Sequence, residues 1–318
     1  MSPLVSSLRP QEWIKNLLVF AGVIFSGQFD DGQALLDATV TFAAFCAISS
    51  AGYLFNDLRD REHDRLHPEK RHRAIASGAL AAQTAAGTAA VLAAFAVALP
   101  WVTVSAEVAG MVAIYAAVTV AYSVILKRLV ILDVMTIASL FILRVVAGAA
   151  AVDAQASEFL LVCTAMLALF LGFTKRRQEA ILEEPPPAPR AAPGREAGSG
   201  ADPVGPGREA EEPTGTGVGV TRPVLEHYSL PFLDQLIAMV TAIAILAYVI
   251  YAVSSPLAGS KMLATAPSVL YGVFRYLYLI YDRRDTRSTA AILAEDPGMI
   301  FAGVSYVASA FVVLYVLD

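Results

Sequence analysis

The sequence has few charged residues and almost no cysteine, and both shortages exclude whole classes of protein. Asp, Glu, Lys and Arg together make up 16% of the 318 residues, whereas ordinary soluble domains carry about 25%. The two cysteines, Cys46 and Cys163, both lie within apolar runs, which excludes a disulfide framework and a CxxC metal pair. Of the four histidines, His63 and His67 have helical i, i+4 spacing, but the segment offers no third ligand for zinc.

Apolar residues are in excess, and they lie in long runs. Hydrophobic residue types make up 57% of the chain, more than a soluble protein of this size could bury. A membrane-spanning helix needs about 20 mostly apolar residues. We therefore predict an all-α, polytopic membrane protein with nine transmembrane helices. The predicted spans cover residues 13–29, 34–55, 79–99, 106–126, 129–150, 158–174, 231–253, 264–281 and 299–317.

The distribution of basic residues predicts the orientation of the chain. Of the 23 Lys and Arg residues, 20 lie before span one, at its very start, or in the loops that follow spans two, four, six and eight. The opposite loops contain only Lys261, while Arg144 and Arg275 lie within spans. Because Lys and Arg mark cytoplasmic loops, we predict a cytoplasmic N-terminus and an outer C-terminus. The predicted location is the plasma (inner) membrane, with the active site facing the cytoplasm.

Residues 183–221 differ in composition from the rest of the chain. They contain eight prolines, eight glycines and no aromatic residue, too little apolar surface for a packed core. They also contain seven acidic and three basic residues. The rest of the chain has 20 basic and 21 acidic residues, so its net charge is close to zero. We predict a single domain over residues 1–318, interrupted by a disordered cytoplasmic insertion at about 183–221, and no nucleic-acid partner.

The most informative polar segment directly follows span two. It contains Asn56, Asp57, Asp60 and Asp64, and in a helix the three aspartates share one face. A helix rises about 10.5 Å over seven residues, so the stripe suits two divalent cations, or one cation with a diphosphate. Mg²⁺ commonly binds one or two carboxylates and completes its shell with substrate phosphates. The alternative, a solvated helix of Asp–Arg pairs, does not explain why Asn56 and Asp57 abut the apolar span.

Basic residues return to the same face of the membrane. Lys70 and Arg73 follow the acidic motif, and residues 175–177 follow span six. Such side chains bind phosphate oxygens, although the positive-inside rule alone could also supply them. Arg275 lies about 10 Å below the cytoplasmic interface, and an intramembrane Arg normally faces a polar cavity. Arg144 lies deeper and could snorkel to the outer interface, so it receives no site role.

These motifs resemble those of a known family. The acidic motif Asn56-Asp57-x-x-Asp60-x-x-x-Asp64 is similar to the first acidic motif of the UbiA superfamily of membrane prenyltransferases, which have nine transmembrane helices. Further motifs resemble the decaprenyl-phosphate phosphoribosyltransferase branch: Arg9-Pro10-x-x-Trp13-x-Lys15-Asn16, Tyr122-Ser123-x-x-x-Lys127 with Asp133, Lys175-Arg176-x-x-Glu179 and Tyr271-Gly272-x-x-Arg275-Tyr276. Two departures are Ala74, where the family usually has proline, and Glu12, where it usually has glutamine.

The resemblance implies an enzyme of cell-wall biosynthesis that transfers 5-phosphoribose from phosphoribosyl pyrophosphate to a polyprenyl (decaprenyl) phosphate. It implies that Asp57, Asp60 and Asp64 are catalytic and bind Mg²⁺. The substrate-binding residues that it implies are Lys15, Asn16, Asn56, Lys70, Arg73, Tyr122, Lys127, Lys175, Arg176, Glu179 and Arg275. The family also makes a homo-oligomer plausible.

Two other functions stay open at this point. Relatives that prenylate an aromatic acceptor use a second Asp-rich stretch after span six, where this chain has the mainly cationic segment 175–179. That segment suits a substrate with another phosphate, unless it merely anchors the end of the span. A transporter would place its site near the midplane with access from both sides, whereas here the ionisable residues concentrate at one face.

Overall fold

A computed structural model describes residues 2–28, 30–68, 70–183, 224–254, 259–283, 285, 287 and 289–315. Every regular element in these ranges is helical, which confirms the all-α prediction. The α-helices are α1 (Pro3–Leu8), α2 (Ala21–Ser26), α3 (Gly32–Arg59), α4 (Arg61–Leu66), α5 (Ala82–Thr103), α6 (Ala106–Val124), α7 (Leu132–Ala151), α8 (Glu158–Glu183), α9 (Leu230–Val253), α10 (Ala266–Tyr281), α11 (Thr289–Glu295) and α12 (Pro297–Tyr315).

Seven helical segments among the described residues are long and apolar enough to cross a membrane. They are α3, α5 to α9, and Gly259–Tyr281, which comprises a 3₁₀ turn and α10. They match seven of the predicted spans, so the chain is a multi-pass membrane protein. The ninth predicted span corresponds to the shorter apolar helix α12, and the first lies on other structure. The number nine and the orientation of the termini stay predictions.

The first predicted span begins as an 11-residue 3₁₀ helix, Pro10–Phe20, which α2 continues. Runs of 3₁₀ helix longer than three or four residues are uncommon because their hydrogen-bond geometry is poorer. Here the backbone lies directly against α7: a Cβ added at Gly148 would meet the carbonyl oxygen of Val19 at 1.9 Å. This close approach explains why glycine stands at position 148 and fixes the segment against the bundle.

Helix α7 contributes to the two largest apolar cores among the described residues. Near its start, Val134 packs into a core formed with α8, α9 and α10 around Phe170, Leu233 and Tyr276. Further along, Leu140 packs into a core formed with α3, α5 and α6 around Phe45. Helix α7 therefore packs in both of these cores.

Ion pairs join the helix ends that carry the polar motifs. They connect α3 with the loop after α6, α7 with α8, and α8 with α9. The ends of α3, α6 and α8 and the beginnings of α7 and α9 consequently lie at one face of the bundle. Helix α8 ends at Glu183 at that face, and residues 184–223, which hold nearly all of the predicted insertion, lie outside the described residues.

Candidate active site

The centre of the polar face is Asp57, on the last turn of α3. Its side chain is buried, and its Oδ1 accepts hydrogen bonds from Arg9 Nη2 at 2.7 Å and Arg73 Nη1 at 3.1 Å. Two cations on one carboxylate offset part of the cost of burying its charge. Arg9 also lies over the ring of Tyr53, 4.9 Å from its centroid. The buried acid thus sits between the N-terminal segment and the loop after α4.

The helix is interrupted at Asp60, so the three aspartates do not form one uninterrupted stripe. Asp60 has φ −87° and ψ 6° and separates α3 from α4, which carries Asp64. Arg73 Nη1 donates to Asp64 Oδ2 at 2.8 Å as well as to Asp57. Asp60 instead accepts from Lys127 Nζ at 2.9 and 2.8 Å. The structure therefore joins Asp57 with Asp64 through Arg73 and gives Asp60 a separate cation.

The aspartate pair fits a metal ion that takes its remaining ligands from a substrate. Within the described part of the chain, no group of three or more His, Cys, Asp or Glu side chains could hold a metal ion. However, one oxygen each of Asp57 and Asp64 lies within hydrogen-bond distance of a single cationic nitrogen. Mg²⁺ commonly binds through one or two carboxylates and substrate phosphates, so this donor set suits Mg²⁺ with a phosphate.

The N-terminal 3₁₀ helix and α8 bring more cations to the same place. Glu12 forms an ion pair with Lys15. Burial raises the pKa of the Glu12 carboxyl, but the charges of Lys15, Lys175 and Arg9 outweigh burial and hold that pKa below its ordinary value. Lys175, exposed near the end of α8, therefore lies close enough to act on the N-terminal segment. The two cationic motifs predicted to bind phosphate lie beside one another.

Arg176 lies in the protein interior, in contrast to its neighbour Lys175. It is 1% exposed, forms an ion pair with Glu179, and its Nε lies 2.7 Å from Asp133 Oδ2. Both carboxylates already engage the guanidinium of Arg176, so these contacts do not support a bond to phosphate. The phosphate contact of Arg176 stays a prediction. The geometry favours an ion-pair cluster that ties α8 to α7.

Tyr228, just before α9, completes the cluster at Asp133. Its hydroxyl donates to Asp133 Oδ1 at 2.8 Å and accepts from the Ile131 backbone N–H at 2.6 Å. Burial raises the pKa of Tyr228, as does the bond to Asp133, so the hydroxyl keeps its proton. Ile131 has φ 68°, a costly conformation for a β-branched residue. Tyr228 holds it, and so fixes the loop that carries Lys127 to Asp60.

Asn16 and Arg144 lie away from this face, in the interior of the bundle. Asn16 is 0% exposed, and its Oδ1 accepts a hydrogen bond from Arg144 Nε at 2.7 Å. The suggestion that Arg144 snorkels to the outer interface is wrong, because its side chain is buried among α3, α6 and the 3₁₀ helix. The substrate contact predicted for Asn16 stays a prediction, and its geometry favours an internal role.

Arg275 forms a separate ion pair with Asp296, which joins α10 to the start of α12. Its Nε and Nη2 donate to Asp296 Oδ1 and Oδ2 at 3.0 and 2.9 Å. Asp296 also accepts from the Met299 backbone N–H at 2.9 Å, which satisfies a free donor of the first turn of α12. The hydrogen bonds from Arg275 hold the pKa of Asp296 below its ordinary value. The predicted substrate contact of Arg275 stays a prediction, and the described contacts do not link it to Asp57.

The remaining predicted residues lie at the same face. Asn56 is half-buried beside Asp57, and Lys70 lies on a short 3₁₀ turn before Arg73. Tyr122 lies near enough to Arg176 to act on it electrostatically. The sequence assigned no site role to Arg9, Tyr53 and Tyr228. Arg9 stood within a recognised motif, which was a usable signal, whereas Tyr53 and Tyr228 have no distinguishing pattern.

Comparison with known proteins identifies the family. The UbiA prenyltransferase family matches residues 17–178. The decaprenyl-phosphate phosphoribosyltransferase of Mycolicibacterium smegmatis is 38% identical over 188 residues, which cover 58% of this chain and 59% of that protein. The enzyme of the same name from Corynebacterium glutamicum is 35% identical over 184 residues, 57% of this chain and 55% of that one. The chain thus matches less than two thirds of the length of these relatives.

Solved structures share the fold. A UbiA homolog from Archaeoglobus fulgidus bound to GPP and Mg²⁺ superimposes with a TM-score of 0.70 and 17% identity, covering 98% of this chain and 99% of that one. The family match extends over half the chain and includes the acidic motif, Lys127 and residues 175–178. The chain therefore belongs to the UbiA prenyltransferase family, a family of transferases, as its acidic motif predicted.

Proposed function

We propose that the chain transfers 5-phosphoribose from phosphoribosyl pyrophosphate to a polyprenyl phosphate at the cytoplasmic face of the plasma membrane. The observation that carries this proposal is the placement of Arg9, Arg73 and Lys127 directly on the acidic motif, with Lys175 nearby. Cations of this kind bind phosphate oxygens through charge-assisted hydrogen bonds. The relatives are named decaprenyl-phosphate phosphoribosyltransferases, which supports a polyprenyl phosphate acceptor and a transferred phosphoribosyl group.

Asp57 and Asp64 would hold Mg²⁺, with Asp60 at the break between the helices that carry them. When bound, Mg²⁺ would neutralise negative charge on the leaving pyrophosphate. Each of the three carboxylates already has a cationic partner, so a metal ion alone gains little attraction. We therefore expect Mg²⁺ and the diphosphate to bind together, and Arg9 and Arg73 to turn from carboxylate to phosphate oxygens.

The proposed transfer of phosphoribose depends on positioning of the substrates more than on proton transfer. Positive charge develops at the anomeric carbon of the ribose as pyrophosphate departs, and the acceptor phosphate is already anionic. No general base is needed, so orientation and fixed charges should supply most of the rate. Lys15 and Lys175 both act on Glu12, on the segment that carries Arg9 to Asp57. We expect them to bind phosphate groups of the donor and the acceptor. The membrane supplies the acceptor from between the helices.

The reaction can be tested directly with the purified full-length chain in nanodiscs. Labelled phosphoribosyl pyrophosphate, decaprenyl phosphate and Mg²⁺ should yield a lipid-linked phosphoribose, and EDTA should abolish it. The matched assay offers geranylgeranyl diphosphate with an aromatic acid. No phosphoribosyl lipid, together with robust prenylation of the aromatic acid, would overturn the proposal in favour of the alternative activity. Uptake of the labelled donor into proteoliposomes without a lipid product would indicate a transporter.

A further inference from the structure

Arg144 is a buried cation that the proposed reaction does not use. We propose that Arg144 is a positioning residue: through Asn16 it holds the N-terminal 3₁₀ helix in the register that places Arg9 on Asp57 and pairs Glu12 with Lys15. Asn16 lies on the same 3₁₀ helix as Glu12 and Lys15. The proposal concerns the fold of this segment, and only its kinetic consequence rests on the proposed function.

The surroundings of Arg144 are polar but uncharged. It is 5% exposed, and it donates to Asn16 Oδ1 at 2.7 Å, Tyr115 Oη at 2.6 Å and its own turn's Leu140 carbonyl at 2.8 Å. The guanidinium also lies over the ring of Tyr115, 4.8 Å from the centroid. Its described contacts include no carboxylate. Burying a charge in this way costs free energy. This cost indicates that the hydrogen bonds of Arg144 have a structural role that an apolar side chain could not fill.

The segment that Arg144 contacts needs such support. A 3₁₀ helix has three residues per turn, so side chains three apart share a face. Along one face, Trp13 Nε1 donates to Ser50 Oγ at 3.0 Å, Asn16 meets Arg144, and Val19 is buried against Gly148. Glu12 and Lys15 lie on the neighbouring face and pair with each other. Contacts on the first face therefore determine where the second face points.

Relaxation of this segment to an α-helix would misplace the charged face. The two helix types differ by about 20° and 0.5 Å per residue. Over the six residues from Asn16 back to Pro10, the start of the segment would turn by about 120° and shorten by about 3 Å. Arg9, which precedes Pro10, would lose its 2.7 Å bond to Asp57. Arg144 fixes Asn16 from α7, and the register of the whole segment follows from that contact.

Hydrogen–deuterium exchange of the full-length protein in nanodiscs tests the proposal without any substrate. In Arg144→Met, the amides of residues 10–20 should exchange at least tenfold faster, while those of α5 and α9 stay within about twofold of the parent. Asn16→Leu removes the bond to Arg144 together with the longer contacts of Asn16 with Cys46 Sγ and Ser49 Oγ, at 3.3 and 3.5 Å, and should give the same local pattern. It also serves as the second variant if Arg144→Met fails to insert.

The matched control is Tyr115→Phe. It removes another hydrogen bond of the same guanidinium but leaves the bond to Asn16, so it should lower thermal stability without faster exchange at residues 10–20. In the transfer assay, Arg144→Met and Asn16→Leu should raise the donor KM about tenfold with kcat within about threefold. The double variant should be no worse than either single variant, and Arg144→Lys should recover part of the loss.

Two results would overturn the proposal. Equal protection losses at residues 10–20 in Tyr115→Phe and Arg144→Met would mean that Arg144 only stabilises the bundle. Unchanged exchange at residues 10–20 in both Arg144→Met and Asn16→Leu would mean that the segment keeps its register without this contact. Neither result bears on the proposed reaction, because no substrate is present in the exchange experiment.

Discussion

The cluster around Asp57 and the cluster around Arg144 share the N-terminal segment but compensate charge in opposite ways. At Asp57, carboxylates and cations pair directly, and Arg9 and Arg73 are partly exposed. At Arg144, one buried cation meets only neutral acceptors among its described partners. Partly exposed cations can move from a carboxylate to a charged ligand when the ligand arrives. A charged ligand does not reach a buried cation, so its hydrogen bonds to neutral groups persist. The first arrangement suits binding, and the second suits support.

The largest expected effect comes from removing a charge of the binding cluster. Asp57→Asn and Asp64→Asn keep side-chain size but weaken the donor set for Mg²⁺, so activity should fall by at least about 100-fold. Asp60→Asn should cost less, because Asp60 pairs separately with Lys127. Steady-state transfer rates in nanodiscs provide the measurement.

Asp282→Asn is the control for these three variants, because Asp282 is exposed at the end of α10. It should stay within about twofold of the parent, and the melting temperatures of all four variants should lie close together. Equal, small losses at Asp57, Asp64 and Asp282 would show that the acidic motif is only a solvated helix end.

A smaller effect is expected from the cation of α8. Lys175→Gln should raise the donor KM about tenfold, the value expected for losing one charge-assisted bond to phosphate, while Lys175→Arg should stay near the parent. Lys261→Gln, in the segment between α9 and α10, is the matched control. A KM that does not distinguish Lys175→Gln from Lys261→Gln would leave Lys175 with the role of a membrane anchor.

The Arg275–Asp296 ion pair should affect the stability of the fold and its pH dependence, with little effect on the rate of transfer. Because Arg275 lowers the pKa of Asp296, this carboxylate stabilises the fold at pH values above its ordinary pKa. That contribution is lost as the pH falls through the lowered, folded-state pKa. Asp296→Asn should therefore melt a few degrees below the parent at pH 6–7. The gap should begin to narrow below about pH 4 and close only as the pH falls through the lowered pKa of Asp296.

Melting curves of parent and variant across this pH range provide the measurement. A gap that widens toward low pH would contradict the assigned direction of the pKa shift. A loss of transfer activity much larger than the loss of stability would instead support the substrate contact predicted for Arg275.

The smallest effect is expected from the Pro- and Gly-rich segment. Replacing residues 184–221 with a short flexible linker should leave transfer within a few-fold, because its composition offers no packed core and it lies outside the matched motifs. Loss of all activity in an inserted, monodisperse deletion protein would show that the segment contributes to the site.

Much of the fold could be predicted because membrane spans follow from composition and length alone. Helices α3, α5 to α9 and α10 lie where long apolar runs predicted them. The helix type of the first predicted span could not be predicted, because an apolar run does not distinguish a 3₁₀ helix from an α-helix. That choice depends on the backbone contact of Val19 with Gly148 and on the bond from Asn16 to Arg144, which join residues more than 120 positions apart.

The candidate site likewise contains residues that a local sequence pattern predicted and residues that only tertiary contacts place. Asp57, Asp60, Asp64 and Arg73 formed a local pattern that the sequence revealed. The partners of Arg176, the break at Asp60 and the hydrogen bonds of Tyr228 depend on which helices become neighbours, so spacing alone could not supply them. Tertiary contacts decided which cations lie open to a ligand and which are buried.

The most direct test of the central claim is a calorimetric titration of the purified protein with phosphoribosyl pyrophosphate, with and without Mg²⁺. If the carboxylates and cations around Asp57 form one donor site, binding will require Mg²⁺, Mg²⁺ alone will bind weakly, and Asp57→Asn and Lys175→Gln will each weaken donor binding. Donor binding that is independent of Mg²⁺ and unchanged in both variants would contradict the account.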